Sequence, residues 1–341
     1  MSLKFIIGTA SYDHHQTLVK QLQTDLRATN TDRFFYLVPN HIKFESEVAL
    51  LNDLKTPGSE YVATSRVQVF SLSRLAWYFM KNTPYYQIPR ISTAGLNILV
   101  YRLLQEHAEE LSLFGGEVNQ TGFVAQLTSQ LLELKVGCIT PDELTEIAAQ
   151  LAPEEVELTT KLREITIIAT AFEAAMQKQF IENTTLIDAL TDYLKKQDLH
   201  DCHFYIEGFA QFTAQEQALV AVLMQQASLT VALITDYVNY QQPPEKLSFF
   251  YQAERTYYQL YQQAKQNHIP IMTDQIATNQ RVSPTLLALD RYWVASENHG
   301  QIPTAPEIDS TQLQVIGAEN RYTELRYVAR EIRRIVQTGH Y

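Results

Sequence analysis

The sequence predicts an α/β protein built on a mostly parallel sheet, with an all-helical subdomain inserted into it. Short apolar runs rich in aromatic and β-branched residues alternate with segments of helical periodicity, which is typical of a parallel sheet covered by helices. Between residues 93 and 196 the strand signal stops while helical periodicity continues. Since strands resume at Phe204, we expect the helical block to interrupt a single α/β domain.

The predicted strands are six short runs. In chain order they are Phe5–Ile7, Phe34–Val38, Val67–Phe70, Phe204–Ile206, Leu229–Ile234 and Leu313–Ile316. Helical faces follow the first two strands, with apolar residues three or four positions apart. The first face comprises Leu18, Leu22 and Leu26, and the second comprises Phe44, Val48 and Leu51.

The helical block contains four apolar runs without a strand pattern. They are Leu96–Leu104, Phe123–Leu134, Leu158–Phe172 and Leu186–Leu194. One helix start is explicit, because Thr140, Pro141 and Glu143 have the spacing of a capping box with proline at the first helical position. Beyond the block, Tyr257, Leu260, Tyr261 and Ala264 predict the core face of a helix, in preference to a base-stacking surface.

A seam follows between Ser296 and Ser310, where glycine and prolines interrupt any regular pattern. We therefore expect an α/β domain of residues 1–92 and 197–296, a helical subdomain of residues 93–196, and a further unit of residues 310–341. The helix of that unit carries a basic stripe of Arg326, Arg330, Arg333 and Arg334, most simply a solvated face. One strand and one helix cannot bury their apolar faces alone, so we expect a piece of a longer polypeptide.

Composition excludes several classes of protein. Hydrophobic residues make up 45% of the chain, but no window approaches the uncharged apolar run of a membrane span. Met1–Gly8 has the pattern of a strand and not of a signal peptide, so we expect a cytoplasmic protein without a membrane partner. A net charge of -11 argues against nonspecific coating of nucleic acid, which needs broad phosphate neutralisation. Any contact with DNA must therefore be local.

The cysteines and histidines do not form a recognisable metal site. Cys138 and Cys202 lie in different kinds of segment, so neither a disulfide framework nor a four-thiolate site is expected. His200, Cys202 and His203 resemble a fragment of a zinc site, but the absence of a second ligand pair in the sequence favours a strand edge.

A glycine loop follows the first strand, where a phosphate-binding loop would lie because helix N-terminal amides attract anions. Read from Gly8, the positions that a Walker loop gives to glycine, lysine and a hydroxyl are Asp13, His14 and His15. An aspartate adds negative charge beside a triphosphate, so we interpret the loop as a degenerate nucleotide site. Metal binding by the three residues is the weaker alternative, because adjacent residues diverge on a helix.

The second element of a nucleotide motor would be an acidic pair at the end of a later strand. Glu207 stands at such a strand end, but the next position is Gly208, which has no side chain to act as a base. Both losses favour a chain that keeps the scaffold of a motor without its chemistry.

Four motifs occur in a characteristic order. They are Phe5-Ile6-Ile7-Gly8, Leu37-Val38-Pro39-Asn40, Val69-Phe70-Ser71-Leu72-Ser73-Arg74-Leu75-Ala76-Trp77 and Ile206-Glu207-Gly208-Phe209-Ala210-Gln211-Phe212-Thr213, the last continuing to Gln215-Glu216. This order resembles the N-terminal part of the AddB/RexB family, the B subunits of bacterial helicase-nucleases, over essentially the whole chain. The chain departs from many family members at Asp13, His14 and His15, where those members are similar to a normal Walker loop.

The resemblance implies a P-loop-NTPase-like fold of the superfamily 1 helicase type with an inactivated motor. It also implies a partner, an AddA/RexA-type A subunit that supplies helicase and nuclease activity. The family's own nuclease domain, with its iron-sulfur cluster and magnesium, lies far downstream, so no cofactor is expected in this fragment. The N-terminal part in such subunits lines the channel for single-stranded DNA and helps to recognise the Chi sequence.

Three loops at the carboxyl ends of predicted strands offer what a single-strand channel needs, namely cations and amides for phosphates and rings for stacking. They supply Asn40, His41 and Lys43, then Arg74 and Trp77, then Phe209, Gln211 and Phe212. The polar members have the donors and acceptors to read base edges as well.

Structural alternatives stay open for these residues. Trp77 also fits a helix core, Phe209 and Phe212 also fit loop anchors, and Arg74 also fits a bridge to Glu207. Two other functions compete for the whole chain: an active ATP-hydrolysing helicase, and a structural scaffold that docks the A subunit without touching DNA.

Overall fold

A six-stranded sheet organises the first part of the chain. The computed structural model describes residues 1–55, 65–87, 90–117, 119–152, 154–179, 185–236, 238–297, 303–309 and 311–339. The strands are β1 Ser2–Gly8, β2 Arg33–Leu37, β3 Val67–Phe70, β4 Cys202–Ile206, β5 Ser228–Ile234 and β6 Gln275–Ile276. They pair in parallel in the order β3-β2-β4-β5-β1-β6. The predicted α/β class and the first five predicted strands are confirmed.

Helices lie between these strands in the chain and also follow the last strand. Those between the strands are α1 His14–Ala28, α2 Lys43–Asp53, α3 Leu72–Met80, α4 Thr93–Glu106, α5 Thr121–Val136, α6 Pro141–Ala149, α7 Val156–Gln179, α8 Thr185–Leu194, α9 Ala214–Gln226 and α10 Tyr251–Gln266. Those after the last strand are α11 Pro284–Ser296 and α12 Arg321–Thr338. The start of α6 is the predicted capping box, since Thr140 accepts from the Glu143 amide and Glu143 accepts from the Thr140 amide. The predicted core face of α10 is also confirmed, with Tyr257 and Leu260 buried.

The sheet is covered on both faces, which explains why its strands are continuous apolar runs. Phe5, Phe35 and Phe204 lie in one core cluster, to which α3, α8, α9 and α10 contribute. Ile6 and Phe34, from neighbouring positions on the same strands, lie in the cluster on the other face. Adjacent residues of a strand point to opposite faces, so each central strand feeds both cores.

Helix α2 does not cover the sheet with the predicted residues. Phe44 and Val48 are 75% and 44% exposed, whereas Leu50 is buried in the same core cluster as residues of α1 and β2. The spacing predicted a helix correctly, but the buried side of a short helix is decided by its packing.

The helical block has a core of its own. Side chains from α4, α5 and α7, with Leu144 of α6, form one apolar cluster. Glu164 of α7 is buried beside it and accepts hydrogen bonds from the amides of Ser112, Leu113 and Phe114 and from the Ser112 hydroxyl, at 2.7–2.8 Å. Burial raises the pKa of Glu164, but these bonds hold it below its usual range. Helix α8, within the predicted residues 93–196, instead packs into the sheet core.

Residues 280–341 form a second unit, whereas the sequence pattern placed the seam at residues 296–310. The predicted strand Leu313–Ile316 is wrong, because residues 313–318 have no regular structure. The helix that was expected to follow it is α12, and none of its residues is buried. Among the described residues, no helix combines the length and the apolar character that membrane spanning requires.

Candidate nucleic-acid interface

The loop after β1 is closed by its own side chains. Asp13 is the N-cap of α1, and its carboxylate accepts a hydrogen bond of 2.8 Å from the Gln16 amide. A phosphate at a helix N-terminus would use the same amides. The anion position of this helix is therefore taken by a carboxylate of the chain itself.

The His14 ring fills the interior of the loop between Gly8 and Tyr12. The ring is buried, with Nε2 at 2.9 Å from the Gly8 carbonyl oxygen and Nδ1 at 3.1 Å from that of Tyr12. A Cβ on Gly8 would lie 3.3 Å from His14 Nε2, so ring and loop are in close contact. A phosphate-binding loop needs this space to curve around its ligand.

Glu207, at the end of β4, is held by two side chains. Its Oε2 accepts a hydrogen bond of 2.5 Å from the Tyr36 hydroxyl and lies 2.9 Å from His15 Nδ1. The other ring nitrogen of His15 lies 3.3 Å from a carboxylate oxygen of Asp53. Burial lowers the pKa of His15, but the carboxylates of Glu207, Asp53 and Asp13 outweigh it and raise the pKa above 6.5.

We call Gly8, Asp13, His14, His15 and Glu207 the Gly8 site. Its polar groups are bound to one another or to neighbouring residues of the chain, in the place where the sequence predicted a degenerate nucleotide site. The predicted Arg74–Glu207 bridge is not formed among the described residues, since Glu207 pairs with His15 and Tyr36.

Gly208 permits the turn that follows. Its φ is +82°, in the region that favours glycine. A Cβ there would lie 3.0 Å from Ile42 Cδ1 and 3.2 Å from Pro39 Cδ. Gly208 thus lets the loop after β4 run against the loop after β2.

A cavity of about 790 Å³ lies beyond that turn. Most of its walls come from segments that follow the carboxyl ends of β3, β2 and β4, which are adjacent in the sheet. Tyr86, Arg90 and residues of α8 and α9 complete the lining. In an open α/β sheet this edge is where ligands collect. The lining residues used below are Asn40, Lys43, Ser73, Arg74, Trp77, Tyr86, Arg90, Phe209 and Glu216.

Five of the eight sequence-predicted DNA-binding residues are brought together here. They are Asn40, Lys43, Arg74, Trp77 and Phe209. His41, Gln211 and Phe212 are not among the lining residues, although the Phe212 ring lies 5.3 Å from that of Phe209. Phe209 and Phe212 also pack on the sheet core, so the anchoring role considered for them is compatible with a position at the rim.

The cavity carries more positive than negative charge in an acidic chain. Lys43, Arg74 and Arg90 line it, and Lys43 pairs with Glu47 one turn further along α2. The carboxylate among the described lining residues is Glu216, which accepts a hydrogen bond of 2.9 Å from the Thr213 amide at the start of α9. That bond directs the charge of Glu216 towards a helix N-terminus, where it is favourable.

Two arginines in the cavity lie over aromatic rings. Arg74 Cζ is 3.9 Å from the ring centre of Trp77, and Arg90 Cζ is 5.1 Å from that of Tyr86. Trp77 is half-buried and lines the cavity, so it is not solely a core residue of α3. Flat rings beside cations suit a ligand that has flat groups joined by anionic ones.

Tyr86 and Arg90 were not predicted from the sequence. They lie in and beyond a short 3₁₀ helix, Pro84–Gln87, which has no apolar periodicity to mark it. The adjacent aromatics Tyr85 and Tyr86 with an arginine four residues after Tyr86 were the available signal.

The described residues do not fit a metal centre or an iron-sulfur cluster. No group of three or more metal-ligating side chains occurs among them. Cys138 is exposed and Cys202 is buried in the sheet core, where burial raises the pKa of its thiol to about 12. His203 binds Asp32 at 2.8 Å and His200 binds Asp198 at 2.8 Å. Cys202 and His203 begin β4, which pairs with β2 and β5 and is therefore an inner strand, not an edge strand.

Comparisons with known proteins agree with one another. The family model described as ADDB, N-terminal, matches residues 5–290. The whole chain is 65% identical over 341 residues to the B subunit of the ATP-dependent helicase/deoxyribonuclease of Latilactobacillus sakei, and 48% identical over 346 residues to that of Levilactobacillus brevis. The corresponding protein of Enterococcus faecalis is 38% identical over 344 residues, with 98% of the chain covered. The chain spans 29% of the length of each of these relatives.

Proposed function

Because the chain belongs to the AddB N-terminal family, we propose that it is a single-strand DNA-binding region without ATPase chemistry, within the B subunit of a two-subunit helicase-nuclease for double-strand break repair. The cavity between the ends of β3, β2 and β4 carries this proposal, since it combines cations, amides and aromatic rings. These are the groups that single-strand channels use for phosphates and bases.

The partner in this proposal is an AddA/RexA-type A subunit, which supplies helicase and nuclease activity in the bacterial cytoplasm. The relatives are named as B subunits of an ATP-dependent helicase/deoxyribonuclease, which supports a multi-subunit assembly. Asn40, Arg74 and Ser73 offer hydrogen-bonding groups inside the cavity, and these groups support a role in recognising the Chi sequence. Stacking alone is tolerant of sequence, so any preference must come from such polar contacts.

The active-helicase alternative is disfavoured by the Gly8 site. Asp13 occupies the helix N-terminus, His14 occupies the loop interior, and Glu207 is bound by His15 and Tyr36. We expect equilibrium dialysis of the full-length B subunit with labelled ATP and magnesium to give no saturable binding. Binding at micromolar ATP would support the motor instead.

The scaffold alternative is tested by anisotropy of a labelled oligothymidylate of about 16 nucleotides with the full-length B subunit. Each lost stacked base costs about 1–3 kcal/mol, so the combined Lys43→Ala, Arg74→Ala and Trp77→Ala variant should bind at least about tenfold more weakly. Trp293→Ala, at a side chain 54% exposed in the second unit, is the control. Equal binding by the triple variant and the unchanged protein would favour the scaffold.

A further inference from the structure

Tyr86 and Arg90 reproduce, in the same cavity, the arrangement of Trp77 and Arg74. In each pair a guanidinium lies over a ring, with 5.1 Å from Arg90 Cζ to the Tyr86 centre and 3.9 Å for Arg74 and Trp77. In each pair the arginine is exposed and the ring is half-buried. The first pair lies on α3, while the second lies on a separate segment, beyond the turn at Thr83.

The Tyr86 ring is held in place by contacts with the sheet core and with Tyr85. It packs against the sheet core and meets the Tyr85 ring edge-on, with 6.3 Å between ring centres. The Tyr86 amide also donates to the Thr83 carbonyl at 3.2 Å, which fixes the backbone of the turn. A ring that is already ordered loses little conformational entropy when a base stacks on it.

The cavity has room for more than one nucleotide. Pockets of about 300–1,000 Å³ hold drug-sized ligands, and a single nucleotide is a small member of that class. At about 790 Å³ the cavity is in the upper part of the range. A strand occupying it would meet both arginine-covered rings.

We propose that Tyr86 and Arg90 form a second base-stacking station, distinct from Trp77 and Arg74, for the same DNA strand. This inference rests on the proposed function and adds to it two residues that determine where the strand lies. A base replaces the Arg90 guanidinium against the Tyr86 ring, and the displaced guanidinium neutralises an adjoining phosphate or covers the outer face of the base. A peptide of a partner protein is the competing occupant, and it would leave DNA affinity unchanged when Tyr86 is altered.

The test uses oligothymidylates carrying one 2-aminopurine, placed at successive positions, with the full-length B subunit. Stacking on a ring changes 2-aminopurine fluorescence, so two stations should give two responsive positions. We expect Trp77→Leu to abolish one response and Tyr86→Leu the other. Tyr86→Leu and Arg90→Gln should each weaken binding by about tenfold, while Tyr86→Phe, which keeps the ring, should bind like the unchanged protein.

Matched controls are Tyr240→Leu and Arg102→Gln. Tyr240 is a partly exposed ring outside the cavity lining, and Arg102 is an exposed cation paired with Glu106 at 3.3 Å. Loss of the same fluorescent position in both ring variants, or unchanged binding by both Tyr86→Leu and Arg90→Gln, overturns the second station. If Trp77→Leu still weakens binding in that case, the proposed function stands. Absence of any binding by the unchanged protein overturns both.

Discussion

The Gly8 site and the cavity lie at the same edge of one sheet, yet their polar groups are used in opposite ways. In the Gly8 site Asp13, His14 and His15 each have a partner within the chain, and Glu207 is bound by His15 and Tyr36. In the cavity Arg74 and Arg90 lie over rings and are exposed. The first arrangement stabilises the fold, whereas the second leaves charge available to a ligand.

The same position in a fold can therefore hold either a closed site or an open one. Both places satisfy the rule that ligands collect beyond the carboxyl ends of parallel strands. A closed site must break its internal hydrogen bonds before it can bind, and each bond to a charged group contributes about 1.5–3 kcal/mol. The cavity must give up only cation–ring contacts and the partly exposed Lys43–Glu47 pair, which contribute about 0.5–1 kcal/mol each at exposed sites.

The largest effect is expected where the two regions meet, at Gly208. Gly208→Ala places a Cβ at a φ of +82° and within 3.0 Å of Ile42, so we expect a loss of about 2 kcal/mol in unfolding free energy. Urea unfolding measures it. Since Phe209 follows directly and lines the cavity, affinity for single-stranded DNA should fall as well. Gly116→Ala, where a Cβ meets nothing within 4 Å, is the matched control. An unchanged affinity would mean that the cavity tolerates movement of this loop.

A smaller effect is expected from His15→Gln, which removes the imidazole but keeps a hydrogen-bonding side chain. The unfolding free energy should fall by about 1–2 kcal/mol, because Glu207 loses a charged partner. Anisotropy with single-stranded DNA should change by less than about twofold, since a hydrogen bond elsewhere adds little to binding. A loss of affinity as large as that of the cavity variants would contradict the separation of the two regions.

The smallest expected effect is a dependence on pH. The pKa of His15 is raised in the folded chain, so its stabilising contribution is fully present below about pH 6.5 and is lost as pH rises through the folded value. The titratable groups that face the ring are the carboxylates of Glu207, Asp53 and Asp13 and the Tyr36 hydroxyl, which lies 3.0 Å from Nδ1. The difference in unfolding free energy between the unchanged protein and His15→Gln should therefore shrink as the pH rises from about 6.5 through the pKa of His15 in the folded chain. A difference that stays constant with pH would show that His15 acts as a neutral ring.

Local patterns were sufficient to predict most of the sheet and part of the cavity. Continuous runs such as Phe34–Val38 specify buried parallel strands, and the ends of those strands located Asn40, Arg74 and Phe209. The presence of His14 where a Walker loop would have its lysine was also readable, because it concerns residue identity at a fixed spacing. The pairing of His15 with Glu207 was not, since the two residues are 192 positions apart.

The failures have physical causes of the same kind. Strand β6 has two residues, too few for any periodicity, and is defined by its pairing with β1. Leu313–Ile316 has the composition of a strand, but a strand also requires a neighbour to pair with. Phe44 and Leu50 lie on the same helix, and only the packing of α2 determines which is buried.

The hydrogen bonds of Glu164 allow local opening of the helical block to be measured separately from unfolding of the sheet. Three successive backbone amides of the loop after α4 end on its carboxylate, which is buried in α7. Loop amides usually exchange their hydrogens with solvent quickly, but these are released only when the two segments separate. The rate of deuterium uptake at residues 112–114 therefore measures how often the loop and α7 separate, independently of any opening of the sheet.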